Sequence, residues 1–270
     1  MKPIIVIQGK IEGQRTEDIV NLVLSVNPET DVILSTWYNF NCEYFNRLTE
    51  TQPRFKLVQS HFPTCPGWQN RHYQRVSTFA GVELAVVMGA THILKMRTDQ
   101  PLRRPTICNF LASHLDRFGN DRLVIGRAIT TPDERCGRFH IGDWWMFGRT
   151  HHFQDWYDTK DIDMRSDFFQ HIPAGAHGPC AESDFAQVWL QRIKFVPQSF
   201  ENLIAEKFVI LDTEEVDAIY KTNAVHAPKE SLADFWSKFE TYRTVGYEGW
   251  LKIYNSEHRV TADNVSIDSK

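Results

Sequence analysis

A chain of 270 residues with 42% hydrophobic and 24% charged side chains can bury a large core without disulfides or structural metals. Its formal charge of −4 excludes the basic surface that bulk nucleic-acid binding requires. Five widely spaced cysteines with no C-x-x-C pair give no zinc-cluster or redox motif, and free thiols in a reducing compartment are expected. The apolar run Ile4–Ile7 is too short for a signal-peptide core or a membrane span. A cytoplasmic location, peripheral to the inner membrane at most, follows as an expectation.

In chain order, residues 3–8 form a compact apolar run closed by Gly9, the pattern of a buried strand. Thr16 is placed to cap a helix that carries Glu17 and Asp18 in its first turn and stops at Asn27-Pro28. A strand over 31–37, a helix near 43–50 and a strand over 55–59 follow. Alternation of this kind predicts an α/β fold, a mostly parallel sheet with helices on both faces. A long amphipathic helix is predicted over 69–88, with Gly89 ending it. Next come a strand over 91–99, a helix from Pro105 to about Phe118-Gly119 and a strand over 122–126.

Beyond this point the rhythm changes, and a mixed second half is expected. Residues 139–148 read as a strand with a turn at Gly142, and 158–178 as an irregular active-site or acceptor loop. A helix over 181–192, short strands at 194–197 and 208–211, and a helix over 230–242 complete the reading. From about Glu257 the chain is polar, and a loosely held tail is expected over 256–270. The remainder reads as one domain, a nucleotide-binding half over about 1–126 and an acceptor half over about 127–255.

The candidate site starts from Arg97-Thr98-Asp99 at the end of the fourth strand, because open α/β sheets bind ligands at the carboxyl ends of their strands. Gln8, Gly9 and Thr36 lie at the ends of neighbouring strands, and Arg15 sits at a helix start suited to an anion. Asn70, Arg71, Gln74 and Arg75 cluster on the first turns of the long helix, on the same sheet edge. Asp143 with Trp144 is an acid beside aromatic rings, a pairing suited to a sugar. Glu182 and Asp184 open a helix, either complementing its dipole or offering a general base. His226 is a candidate metal ligand, whereas His151-His152 and His171/His177 lack a partner pattern and receive no role.

The blocks Ile5-Val-Ile-Gln-Gly9, Leu34-Ser-Thr-Trp37, Asn70-Arg-x-x-Gln74 and, most specifically, Lys95-Met-Arg-Thr-Asp99, with Gly142-Asp143 and Phe147-Gly148, resemble the WavE family of lipopolysaccharide-synthesis proteins over roughly residues 4–150. The resemblance implies a GT-A-like, Rossmann-type fold and transfer of a sugar from a nucleotide sugar, a UDP-sugar first, to a hydroxyl of a bacterial surface glycan such as lipopolysaccharide or capsule. A lipid-linked acceptor would then account for peripheral membrane association. In that fold an Asp-x-Asp triplet holds Mn²⁺ or Mg²⁺ and the donor diphosphate. Arg97 stands here in place of the first Asp, able to neutralise phosphate itself, while Asp99 remains a candidate ligand, joined by His226. Gln8, Gly9, Arg15, Thr36, Asn70, Arg71, Gln74, Arg97, Asp99 and Trp144 are then the expected donor contacts. Glu182 is the expected base, with Asp184 second and Asp143 beside the sugar. The alternative is a non-catalytic glycan-binding or complex-organising protein of the same pathway.

Overall fold

The computed structural model describes residues 1–67, 70–127, 139–160, 181–218 and 245–265. Strand β1 (Pro3–Gln8), helix α1 (Gln14–Val26), β2 (Asp31–Trp37), α2 (Glu43–Thr51), β3 (Phe55–Ser60), α3 (Arg71–Val87) and β4 (His92–Arg97) alternate through the first half. Then come α4 (Ile107–Phe118), β5 (Leu123–Gly126), β6 (Met146–Arg149), α5 (Thr150–Tyr157), α6 (Ala181–Arg192), α7 (Phe200–Lys207), β7 (Phe208–Leu211) and α8 (Tyr247–Val265). The expected α/β fold is present, with a mostly parallel sheet and a mixed C-terminal half.

The seven strands lie in the order β3-β2-β1-β4-β6-β5-β7. The first four are parallel, β6 runs antiparallel to both β4 and β5, and β7 is parallel to β5. Strand order reverses between β1 and β4. Right-handed crossovers therefore send α1 and α2 to one face and α3 to the other. Ile4, Ile5, Val6 and Ile7 of β1 are all fully buried, as a central strand covered on both faces requires. Helix α3 approaches the sheet closely at Gly81, where an added Cβ would stand 2.5 Å from Cγ1 of Val6.

Several local expectations are corrected. Thr16 does not cap α1: Gly13 does, with φ 60°, and the buried Thr16 hydroxyl accepts from the Glu12 N–H at 2.8 Å. The strand expected over 139–148 is confined to β6, residues 194–197 form no strand, and the helices α5 and α7 lie where none is predicted. In place of a loose tail from Glu257, α8 continues to Val265. The expected loop over 158–178 lies mostly, and the helix over 230–242 wholly, outside the described residues.

Two charges sit in the centre of this core. Lys95 of β4 is fully buried, and its Nζ lies 3.2 Å from Oδ2 of the equally buried Asp143. The ammonium also donates to the Asp143 backbone carbonyl, and the Tyr157 hydroxyl donates to Oδ2 at 3.2 Å. Burial lowers the lysine's pKa, and Asp143 opposes that shift. This network ties β4, the approach to β6 and the end of α5 together. Removing one partner strands the other charge in the core, which typically costs about 3–5 kcal/mol. Lys95→Met should therefore lower unfolding stability by that order in denaturant titration. The double variant Lys95→Met/Asp143→Leu should recover much of the loss, and strictly additive losses would show that the pair is not coupled.

Candidate functional site

A cleft of about 340 Å³ opens at the carboxyl ends of β1, β2 and β4. It occupies the switch point where strand order reverses, the usual ligand crevice of such sheets, and its size suits a small molecule. Register brings its parts together: Gln8 is paired with Arg97 across β1 and β4, and with Ser35 across β1 and β2. The chain then turns at Gly9, whose φ of 144° favours glycine. A Cβ there would collide with the Thr98 hydroxyl, so Gly9 lets the β1 and β4 ends approach.

One wall is aromatic. Trp37 stacks on Phe62 with ring centroids 4.5 Å apart, and Tyr73 meets Trp37 at 5.6 Å and Phe62 at 5.0 Å. Phe40 completes this wall. Rings in this arrangement offer edges and faces to a flat heterocycle. The opposite wall is charged. Arg97 grips Asp99 through a two-point fork, Nε to Oδ1 at 2.9 Å and Nη2 to Oδ2 at 3.1 Å. Burial would depress the guanidinium, but the Asp99 hydrogen bond and charge outweigh it and hold Arg97 protonated beyond the ordinary arginine value. Lys10 and Glu12 form an outer ion pair at 2.7 Å, and Glu12 also holds Arg15 at 2.8 Å.

Helix α3 supplies the third wall. Asn70, in the left-handed region at φ 61°, precedes its first turn, and Asn70, Tyr73 and Gln74 line the cleft. The Gln8 amide donates to Ser77 Oγ at 3.0 Å and locks the helix against β1. Gln8, Gly9, Asn70, Gln74, Arg97 and Asp99 thus meet around one space.

Other expected contacts are placed elsewhere. Thr36 is fully buried, because alternation along β2 turns its neighbours Ser35 and Trp37 toward α3. Arg15 stands behind the cleft, reaching the Asp99 backbone carbonyl at 3.4 Å. Arg71 and Arg75 turn toward α6: Asp184 lies 3.9 Å from Arg71 and 3.4 Å from Arg75, and Arg75 also donates to the Trp156 carbonyl at 2.9 Å. Asp184 is thereby an interhelical clamp rather than a base facing the cleft. Asp143 is sealed in its ion pair with Lys95, and Trp144 belongs to the hydrophobic core, so neither is among the residues that line the cleft. His226 lies outside the described residues.

Glu182 is likewise not among the residues that line the cleft, but its charge is felt by Arg97. It is partly exposed at the start of α6, and its pKa is pushed up to about 7, by burial first and then by the negative charge of Asp143, against the pull of its backbone hydrogen bond, Arg97 and Lys95. A carboxyl poised near neutrality can take a proton at working pH. Arg97 and Glu182 thus stand within electrostatic reach of each other.

A divalent ion is poorly served in this cleft. Both Asp99 oxygens already receive Arg97, and the nearby Glu12 is engaged by Lys10 and Arg15. Among the described residues no group of three metal-ligating side chains gathers there. The positive charge beside Asp99 is the guanidinium.

The cleft residues not singled out from the sequence are Lys10, Glu12, Trp37, Phe40, Phe62 and Tyr73. The period-2 alternation of β2 was a signal that would have selected Trp37 over Thr36.

Among the described residues no helix is long and apolar enough to cross a membrane. No protein-family model matches the chain, and no curated protein does. Among solved structures, it is similar to a cytidylyltransferase from Leptospira borgpetersenii serovar Hardjo-bovis, with 12% identity over 96% of each chain and a TM-score of 0.46. A nucleoside-diphosphate-sugar pyrophosphorylase from Vibrio cholerae matches at 14% identity over 87% of this chain and 100% of that one, TM-score 0.43. A glycosyltransferase involved in glycosylation of the major capsid of PBCV-1 matches at 12% identity over 78% and 83%, TM-score 0.38. Likenesses of this degree assign neither activity nor substrate to this chain.

Proposed function

We propose that this chain is a nucleotide-sugar-dependent glycosyltransferase of GT-A-like architecture, moving a sugar from a donor such as a UDP-sugar to a hydroxyl of a bacterial surface glycan. The observation that carries the reading is the polarity of the cleft at the β1/β4 switch point. It has an aromatic wall for a base at one side, and a fixed cation for a diphosphate at the other.

In this reading the base lies against Trp37, Phe62 and Tyr73, and the diphosphate reaches Arg97. Asp99 holds the guanidinium by two of its N–H groups and leaves the others for phosphate oxygens. Asn70 and Gln74 offer amide donors from α3. The acceptor hydroxyl attacks the anomeric carbon, its proton passes to Glu182, and the bond to the diphosphate oxygen breaks. Arg97 stabilises the negative charge that develops on the leaving group, a role usually worth several kcal/mol. The described residues that line the cleft gather no set of three metal ligands, so each step here is assigned to the chain's own side chains. A lipid-linked acceptor would bring the chain to the cytoplasmic face of the inner membrane.

The alternative, a protein that binds glycans without catalysis, draws on one fact: Asp99, Asp143 and Asp184 are all engaged in ion pairs. Calorimetry separates the two. UDP should bind in the presence of EDTA, and Arg97→Ala should weaken it about tenfold or more, the worth of a charged hydrogen bond. Glycan binding with no affinity for any nucleotide or nucleotide sugar would sink the transferase reading.

The pH dependence tests Glu182. Turnover of the donor should rise with pH through about 7, as the carboxyl ionises. Glu182→Gln should cut turnover by about 10²–10⁴ while UDP affinity holds. The sign for stability is opposite. A raised carboxyl keeps its proton in the folded state where the unfolded chain releases it, so this group's contribution falls as pH climbs from 4.5 to about 7. Melting curves of Glu182→Gln should show a shallower decline over that window than the parent chain.

A further inference from the structure

On the sheet edge opposite the cleft, three side chains from distant parts of the sequence converge. Asp121 precedes β5, and His151 and His152 occupy the first turn of α5. The edge is fixed by register, since Arg149, just before α5, pairs with His92 at the start of β4, whereas Asp99 lies past the other end of that strand. His151 Nε2 stands 3.4 Å and His152 Nε2 3.3 Å from the same oxygen, Oδ1 of Asp121. The two imidazole rings are 4.1 Å apart. One ligand atom from each residue falls within a span of 4.8 Å.

His152 gives the cluster its meaning. The residue is only 3% exposed, and neither ring nitrogen makes a hydrogen bond. A buried imidazole normally satisfies both nitrogens, and this one instead sets Nε2 3.3 Å from a carboxylate oxygen shared with a second imidazole. Asp121 is 72% exposed, so water can complete a coordination sphere from outside.

We propose that Asp121, His151 and His152 form a binding site for a single divalent transition-metal ion of borderline softness, zinc foremost. Two imidazoles and a carboxylate match that ion's preferred donors, at metal–ligand distances of about 2.0–2.2 Å. Drawing the three atoms onto one ion needs only small rotations from their present spacing. Arg149 and Lys207 lie near His152 and act against a cation, and the Asp121 carboxylate offsets them. A bound ion would staple the turn before β5 to the start of α5. It would lie apart from the donor cleft and owe nothing to the glycosyltransferase reading.

The test uses the full untagged chain, stripped of metal and free of nucleotide. Calorimetric titration with Zn²⁺ should give one site, and Co²⁺ should give visible absorption without a thiolate charge-transfer band, because no cysteine contributes. Asp121→Asn and His151→Gln alter exposed side chains. Each should leave the metal-free melting temperature unchanged, weaken Zn²⁺ at least tenfold and abolish the melting-temperature rise on adding Zn²⁺. Asp99→Asn should bind Zn²⁺ as the parent does. The site is overturned if no stoichiometric Zn²⁺ binding occurs, if both variants bind like the parent, or if Asp99→Asn alone loses the ion.

Discussion

The buried ion pair between Lys95 and Asp143 is the constraint on which the rest of the molecule turns. Two opposite charges with no exposure are a costly element for a core, and hydrophobic residues of the same volume would serve stability as well or better. What the pair adds is placement. It fastens the centre of β4 to the chain entering β6, the antiparallel strand at which the parallel half of the sheet ends. Two residues beyond Lys95 on the same side of the strand stands Arg97. The Asp143 charge is felt by Glu182, whose proton it helps retain, by Arg97 and by Tyr157. One salt bridge therefore bears on the electrostatics of both groups to which the proposed reading gives chemistry.

The cleft itself follows from topology and from two glycines. Parallel strands whose order reverses leave a crevice where neighbouring connections diverge to opposite faces. Gly9 allows β1 and β4 to close under that crevice, and Gly81 allows α3 to settle on Val6 and Ser35. Any side chain at Gly81 would lift α3 and carry Asn70, Tyr73 and Gln74 away from the strand ends. The aromatic wall depends on the same contact, since Tyr73 lies one helical turn before Ser77, which Gln8 grips from β1.

Much of this was legible in the sequence because it rests on local regularity. The apolar run of β1, the alternation of strand and helix to residue 126 and the placement of Arg97 and Asp99 at a strand end all follow from periodicity and turn residues. Asp143 and Trp144 read as a sugar-binding pair because an acid beside indoles carries no sign of burial. Only the tertiary structure shows Lys95, distant in sequence, reaching Asp143. Asp184 likewise depends on Arg71 and Arg75, more than a hundred residues away. Helices α5 and α7 are eight residues each, too short for a periodic pattern to separate them from loop. The sequence around His151-His152 carries no partner pattern, because Asp121 reaches the pair only in the fold, from the turn before β5.

Arg97 is the residue whose role changes most between sequence and structure. Set against an Asp-x-Asp pattern it looks like a lost ligand. Within the fold it is a cation already oriented by Asp99, in the place where the proposed reading sets the donor diphosphate. A guanidinium and a metal ion would differ there in one physical respect. A metal ion equilibrates with solvent and must be recruited by carboxylates, whereas a guanidinium is permanently charged and arrives with the chain. Its orientation needs an acid, and Asp99 supplies one through its two-point contact. On the proposed reading the positive pole of the cleft is built in, and what remains open to control by pH is its acidic counterpart, Glu182.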